Sequence, residues 1–128
     1  MARNILKRRH TGAKPKPFRG RRKHERDRPP ILTRLGPLEV VRRRARGGSF
    51  KLGLKSADFA NVYDPEAKAV KRAKVIRVLE NPAGGDLQRM GIITRGAIIE
   101  TELGRARVTS RPSQHGVLNA VLLPKEGA

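Results

Sequence analysis

Ala97-Ile98-Ile99-Glu100-Thr101-Glu102-Leu103-Gly104-Arg105-Ala106-Arg107-Val108-Thr109-Ser110-Arg111 is the stretch on which the fold turns. Successive side chains of a strand point to opposite faces of a sheet. From Arg105 onward the alternation is strict. Ala106, Val108 and Ser110 fall on one face, and Arg105, Arg107, Thr109 and Arg111 fall on the other. Ala97 to Leu103 is a second run with strand character, and only Gly104 separates the two. Strands joined by so short a break predict a β-hairpin. Gly96 and Gly104 are read as turn positions whose backbone leaves no room for a Cβ.

Working outward, the same pattern recurs. Arg111 to Gly116 reads as a turn, and Val117 to Leu123 as the last strand. Upstream, Ile92-Ile93 is a short candidate strand. Val70 to Glu80 is rich in β-branched residues and closes at Asn81-Pro82, followed by Gly84-Gly85-Asp86. Ala57 to Tyr63 ends at Asp64-Pro65-Glu66. Phe50, Leu52 and Leu54 alternate with Lys51, Gly53 and Lys55, the period of a half-buried strand. Leu38 to Ala45 is a further strand, stopped by Gly47-Gly48. About six to eight short strands broken by frequent turns predict a mainly β protein, a small antiparallel barrel or sandwich. Phe50 and Phe59 are assigned to its core.

The first third of the chain is different. Between Lys7 and Pro30 the one large apolar side chain is Phe18, with Ile31 at the edge. Such a segment buries too little surface to offset its ordering entropy. Lys14-Pro15-Lys16-Pro17 and Pro29-Pro30 favour extended backbone, and a short helical turn fits only around Arg21 to Arg28. The expected organisation is an extended basic tail over residues 1–34, disordered when free, and a β body over residues 35–128.

Charge follows the same division. The 128 residues hold 30 Lys and Arg against 11 Asp and Glu, a formal net charge of +19. Residues 1–50 account for +14 of it and residues 51–128 for +5. A compact fold of one sign repels itself, and a polyanion relieves that repulsion while releasing condensed counterions. Arg outnumbers Lys by 20 to 10, and its planar fork grips phosphate bidentately and stacks on bases. The candidate RNA-binding set in the tail is Lys7, Arg8, Arg9, His10, Thr11, Gly12, Lys14, Lys16, Arg19, Arg21, Arg22, Lys23, Arg26, Arg28 and Arg34. Thr11 and Gly12 enter because they let backbone approach RNA closely. Arg42, Arg43, Arg44, Arg46, Lys51, Lys55, Arg105, Arg107 and Arg111 extend the cationic surface onto the body. Three arginines in succession cannot share one face of a strand. Either one of Arg42, Arg43 and Arg44 points inward, or a bulge intervenes, or the strand ends at Val41.

Other function classes find little support. Without Cys there is no disulfide framework, zinc ribbon or thiol nucleophile. No apolar run is long enough for a membrane span, so a soluble, intracellular protein is expected. His10, His24 and His115 have no partners at metal-ligand spacing. Gly47-Gly48 and Gly84-Gly85 lack the companions of a phosphate-cradling loop. Glu100 and Glu102 are read as ion-pair partners of nearby cations, not as a catalytic pair. Neither an enzyme nor a cofactor or small-molecule substrate is expected. With so few aromatic residues, binding is expected to read RNA shape and backbone more than sequence.

The chain resembles the small-subunit ribosomal protein S-eight-e family of archaea and eukaryotes. The resemblance lies in Gly91 through Gly104, Ala106 through Pro112 and Gly116 through Leu123. It continues upstream in Ala60-Asn61-Val62-Tyr63-Asp64-Pro65, Val78 through Ala83, Leu32 through Gly36, Arg46-Gly47-Gly48 and Arg9 through Ala13. The length resembles the archaeal form. The resemblance implies a barrel-like body with a tail along RNA, small-subunit rRNA and neighbouring small-subunit proteins as partners, and a place in the cytoplasmic ribosome. A free RNA chaperone or nucleic-acid-compacting protein is the alternative that the same electrostatics allow.

Overall fold

A computed structural model describes residues 8, 10–13, 20 and 22–124. Of the tail whose disorder was expected, residues 1–7, 9, 14–19 and 21 lie outside the described residues. Eight strands form: β1 (Arg34–Leu35), β2 (Glu39–Arg44), β3 (Phe50–Ala57), β4 (Phe59–Asp64), β5 (Ala69–Glu80), β6 (Ile98–Thr101), β7 (Gly104–Val108) and β8 (Asn119–Leu122). β4 to β8 close into a barrel, while β1, β3 and β2 make a separate three-stranded sheet in that order. The mainly β expectation holds, as a barrel plus a sheet. The pairing is not wholly antiparallel. β8 closes the ring parallel to β4, and β1 lies parallel to β3.

The hairpin read from the sequence is present. β6 and β7 pair with Thr101 opposite Gly104, and the Thr101 hydroxyl donates to the Gly104 carbonyl at 2.8 Å. The two-residue turn is Glu102-Leu103, not Gly104; Gly104 opens β7 at φ +131°, in the region that disfavours a side chain. Ala106, Val108 and Ser110 point inward as expected, and Arg105, Arg107, Thr109 and Arg111 are exposed.

Alternate residues of the ring fill its interior. Ala60, Val62, Ala73, Val75, Ile99, Ala106, Val108 and Ala120 are all buried. Half of these are alanines, which suits strands closing on a narrow radius. Ile93, Ala97 and Leu118 extend the cluster, and β3 contributes Leu54 and Ala57. Buried polar groups are satisfied: Asn81 donates to the Ile92 carbonyl at 2.7 Å and accepts from Thr94 Oγ1 at 2.8 Å. The sheet is tied to the barrel by Thr33. Its buried hydroxyl donates to the Leu54 carbonyl at 2.7 Å, and its carbonyl accepts from the Ile93 amide at 2.8 Å.

Several local expectations are corrected. Ile92-Ile93 is not a strand; it makes a single bridge, Arg34 to Ile92, and packs its side chains inward. Two turns instead wind into short helices, α1 (Gly85–Arg89) and α2 (Pro112–His115). Pro112 suits the first helical position of α2, and Gly116 caps it at φ +75°. The turn expected near Arg21 to Arg28 is a 3-10 turn at Lys23–Glu25. Ala57 to Tyr63 is two strands, not one, because the chain bends at Asp58. β3 is half-buried only at its C-terminal end: Phe50 is 53% and Leu52 49% exposed, against 2% for Leu54. Phe59, also assigned to the core, is 39% exposed.

Candidate nucleic-acid interface

The register of β2 on β3 settles the three arginines. A shift between Glu39 and Val40 precedes the regular pairing, which puts Arg42 opposite Leu52, Arg43 opposite Lys51 and Arg44 opposite Phe50. The strand continues through Arg44. Arg42 and Arg44 therefore share one face with Leu52 and Phe50, while Arg43 and Lys51 share the other. None of the three arginines is buried, because a three-stranded sheet leaves both faces accessible there. Like charges directly opposite on a sheet repel, so the Arg43–Lys51 pair favours an anion alongside it. Lys55 is the cation of this sheet with an acidic partner, Glu39 at 2.8 Å.

A groove of about 860 Å³ lies between the segment 28–37 and this sheet. Arg28, Arg34, Arg43 and Lys55 line it, together with Ile31 and Val41. Arg46 sits in the 3-10 turn that joins β2 to β3, and its carbonyl accepts from Ser49. The sheet thus gathers Arg28, Arg34, Arg42, Arg43, Arg44, Arg46, Lys51 and Lys55.

On the barrel, Arg105 and Arg107 project outward from β7, and Arg111 precedes α2 with its guanidinium near Gln114 Oε1. Glu100 does form the expected ion pair, and its partner is Arg77 on β5. A shift in pairing between Val75 and Arg77 brings that arginine to the outer surface, opposite Glu100. β5 also carries Lys71, Arg72 and Lys74, all exposed and not among the residues singled out from the sequence. Their spacing was legible: Arg72 and Lys74 alternate with the buried Ala73 and Val75 as regularly as the cations of β7 do. His115 is exposed at the end of α2, and its Nδ1 accepts from the Arg111 amide.

Of the tail set, Arg8, His10, Thr11, Gly12, Arg22, Lys23, Arg26, Arg28 and Arg34 are described, and all are exposed. Arg8 donates to the Gly12 carbonyl at 3.0 Å, closing a turn in which Gly12 takes φ +77°. The Arg22 amide donates to Glu25 at 3.2 Å across the 3-10 turn. Lys7, Arg9, Lys14, Lys16, Arg19 and Arg21 lie outside the described residues. No group of His, Asp and Glu among the described residues is arranged to hold a metal ion, and no described helix is long and apolar enough to cross a membrane.

The chain is similar to proteins named small ribosomal subunit protein eS8. The relative from Sulfolobus acidocaldarius is 47% identical over 114 residues, which is 88% of this chain and 89% of the relative. The relative from Nanoarchaeum equitans is 49% identical over 105 residues, 82% and 83% of the two chains. That from Hyperthermus butylicus is 49% identical over 117 residues, 90% and 86%. Residues 3–123 match the model of the ribosomal protein S8e family, and with nearly the whole chain matched, the protein belongs to that family.

Proposed function

We propose that this protein is a structural constituent of the small ribosomal subunit that holds rRNA through its phosphates. The coarse role follows from the family, which is a ribosomal protein family and not an enzyme class. The mechanism rests on one observation above the others: residues 1–50 hold +14 of the net charge of +19. The described part of that segment presents its Arg and Lys at the surface, on a sheet with few acids of its own. Tail cations would neutralise phosphates along one stretch of RNA, and Arg42 to Lys55, with Arg105, Arg107 and Arg111, would extend the contact over the body. Neighbouring ribosomal proteins are the second class of partner, and the cytoplasmic ribosome is the place of action.

The test is the salt dependence of binding between the full-length chain and a small-subunit rRNA fragment. Each neutralised phosphate contributes about −0.7 to −0.9 to the slope of log K against log salt. Eight contacts would give a slope of about −6. Replacing Arg8, Arg9, Arg19, Arg21 and Arg22 together by Gln is expected to flatten that slope by several units. A wild-type slope flatter than about −2 refutes the phosphate mechanism. The chaperone alternative predicts release from subunits during a high-salt wash, whereas a structural constituent stays with them.

A further inference from the structure

A phenylalanine in a small domain belongs in the core by default. Phe50 and Phe59 are both at the surface, and each is covered by an arginine. The guanidinium carbon of Arg42 lies 3.4 Å from the centroid of the Phe50 ring, and that of Arg72 lies 4.5 Å from the Phe59 ring. At 3.4 Å the planar group lies along the ring and does not point an N–H into it.

The two pairs are built alike. Arg42 faces Leu52 across β2 and β3, and Phe50 stands two residues before Leu52. Phe59 faces Lys74 across β4 and β5, and Arg72 stands two residues before Lys74. In both, the contact follows the same diagonal of an antiparallel pair, a separation that long and aromatic side chains can span. One pair is on the three-stranded sheet and the other on the barrel.

A guanidinium lying on a ring has one face occupied and the other open. It is weakly hydrated, it stacks on planar π-systems, and its edge N–H groups stay free for phosphate. That open face is what an unstacked nucleobase requires. The surroundings match the charge of a nucleic acid: Arg44 is opposite Phe50, Lys51 follows it, and Lys74 is opposite Phe59. An exposed cation–π clasp made only for stability would contribute little, and it does not explain why the ring is at the surface. We infer that Arg42–Phe50 and Arg72–Phe59 are stacking platforms for unpaired bases of the bound RNA. The protein then selects bulged or single-stranded positions as well as backbone. This rests on the RNA-binding reading above and refines the expectation that binding reads RNA shape and backbone more than sequence.

The experiment titrates the full-length chain onto an RNA hairpin with a single 2-aminopurine in a bulge, and onto the same hairpin with that purine paired. Stacking is expected to quench the bulged fluorophore, and the bulged hairpin is expected to bind more tightly. Phe50→Leu with Phe59→Leu should abolish the quenching and weaken bulge binding about five- to tenfold. Arg42→Lys with Arg72→Lys keeps the charge and removes the plane, and should do the same. Binding to the paired hairpin, and its salt slope, should not change in the phenylalanine variant. Unaltered quenching in both double variants overturns the inference, as does equal loss on the two hairpins. Equal affinity of wild-type protein for the two hairpins without quenching also overturns it, leaving phosphate binding intact. Failure to bind either hairpin refutes the RNA-binding reading itself.

Discussion

The barrel and the three-stranded sheet are built from similar strands, yet they bury their residues very differently. β4 to β8 place small or branched side chains in the interior at alternate positions over part of each strand, and their hydrogen-bonded edges are consumed by closure. In the sheet, β1 and β2 contain no buried residue, and β3 buries only Gly53, Leu54 and Ala57. Apolar groups that the barrel would enclose stay outside: Leu38 is 63%, Val40 44% and Leu52 49% exposed. Residues 22–57 also carry eleven Lys and Arg against three acids, so this half is both under-buried and self-repelling. The barrel is a finished fold. The sheet is an open surface that leaves apolar as well as cationic side chains in contact with solvent.

Four substitutions probe this contrast in the free protein by denaturant unfolding. The largest effect is expected where the two halves share a core. Ile99→Ala in the barrel should cost about 2–5 kcal/mol, and Leu54→Ala on β3 should cost a similar amount. A cost below about 1 kcal/mol for Leu54→Ala would show that the sheet is not anchored through the barrel core. Next comes Gly53→Ala. Its new Cβ would meet the Ser113 backbone carbonyl at 2.4 Å, and overpacking of this kind costs about 1–3 kcal/mol. A neutral result would mean that α2 does not hold β3. The smallest effect belongs to the exposed sheet: Leu38→Ala should change stability by less than about 0.5 kcal/mol. A larger loss would reveal packing on that face in the free protein.

The contrast also explains what could be read from the sequence. Strand alternation identified the β6–β7 hairpin and its inward Ala106, Val108 and Ser110, because a closed ring buries one face and wets the other. The same alternation misplaced Phe50. Period two says that Phe50, Leu52 and Leu54 share a face, but not that the covering layer leaves Phe50 and Leu52 outside and reaches only Leu54. β5 was legible as a strand, while its shift between Val75 and Arg77 was not, so the outward turn of Arg77 toward Glu100 needed the partner strand. α1 and α2 span little more than a turn each, too short for any periodic signal. The arginine triplet was posed correctly as a problem of faces, and the sheet answers it by having no covered face at that end. The tail cations were legible by charge alone, which fixes their chemistry but not their arrangement.

The parallel seam between β4 and β8 has a bearing on how the chain reaches this state. Asn61 and Asn119 meet across that seam, donor to acceptor at 3.1 Å, although 58 positions separate them. Every other pairing in the ring joins consecutive strands and can form as soon as both have been synthesised. The seam must wait for the last strand to emerge. Until then β4 exposes an unpaired edge, a template for wrong partners, and non-local closure of this kind is slow. The cationic sheet, by contrast, is complete in sequence by Ala57. During vectorial synthesis the cationic half is therefore complete in sequence while the barrel is still open, and the RNA contacts proposed above would be able to begin before the fold is sealed.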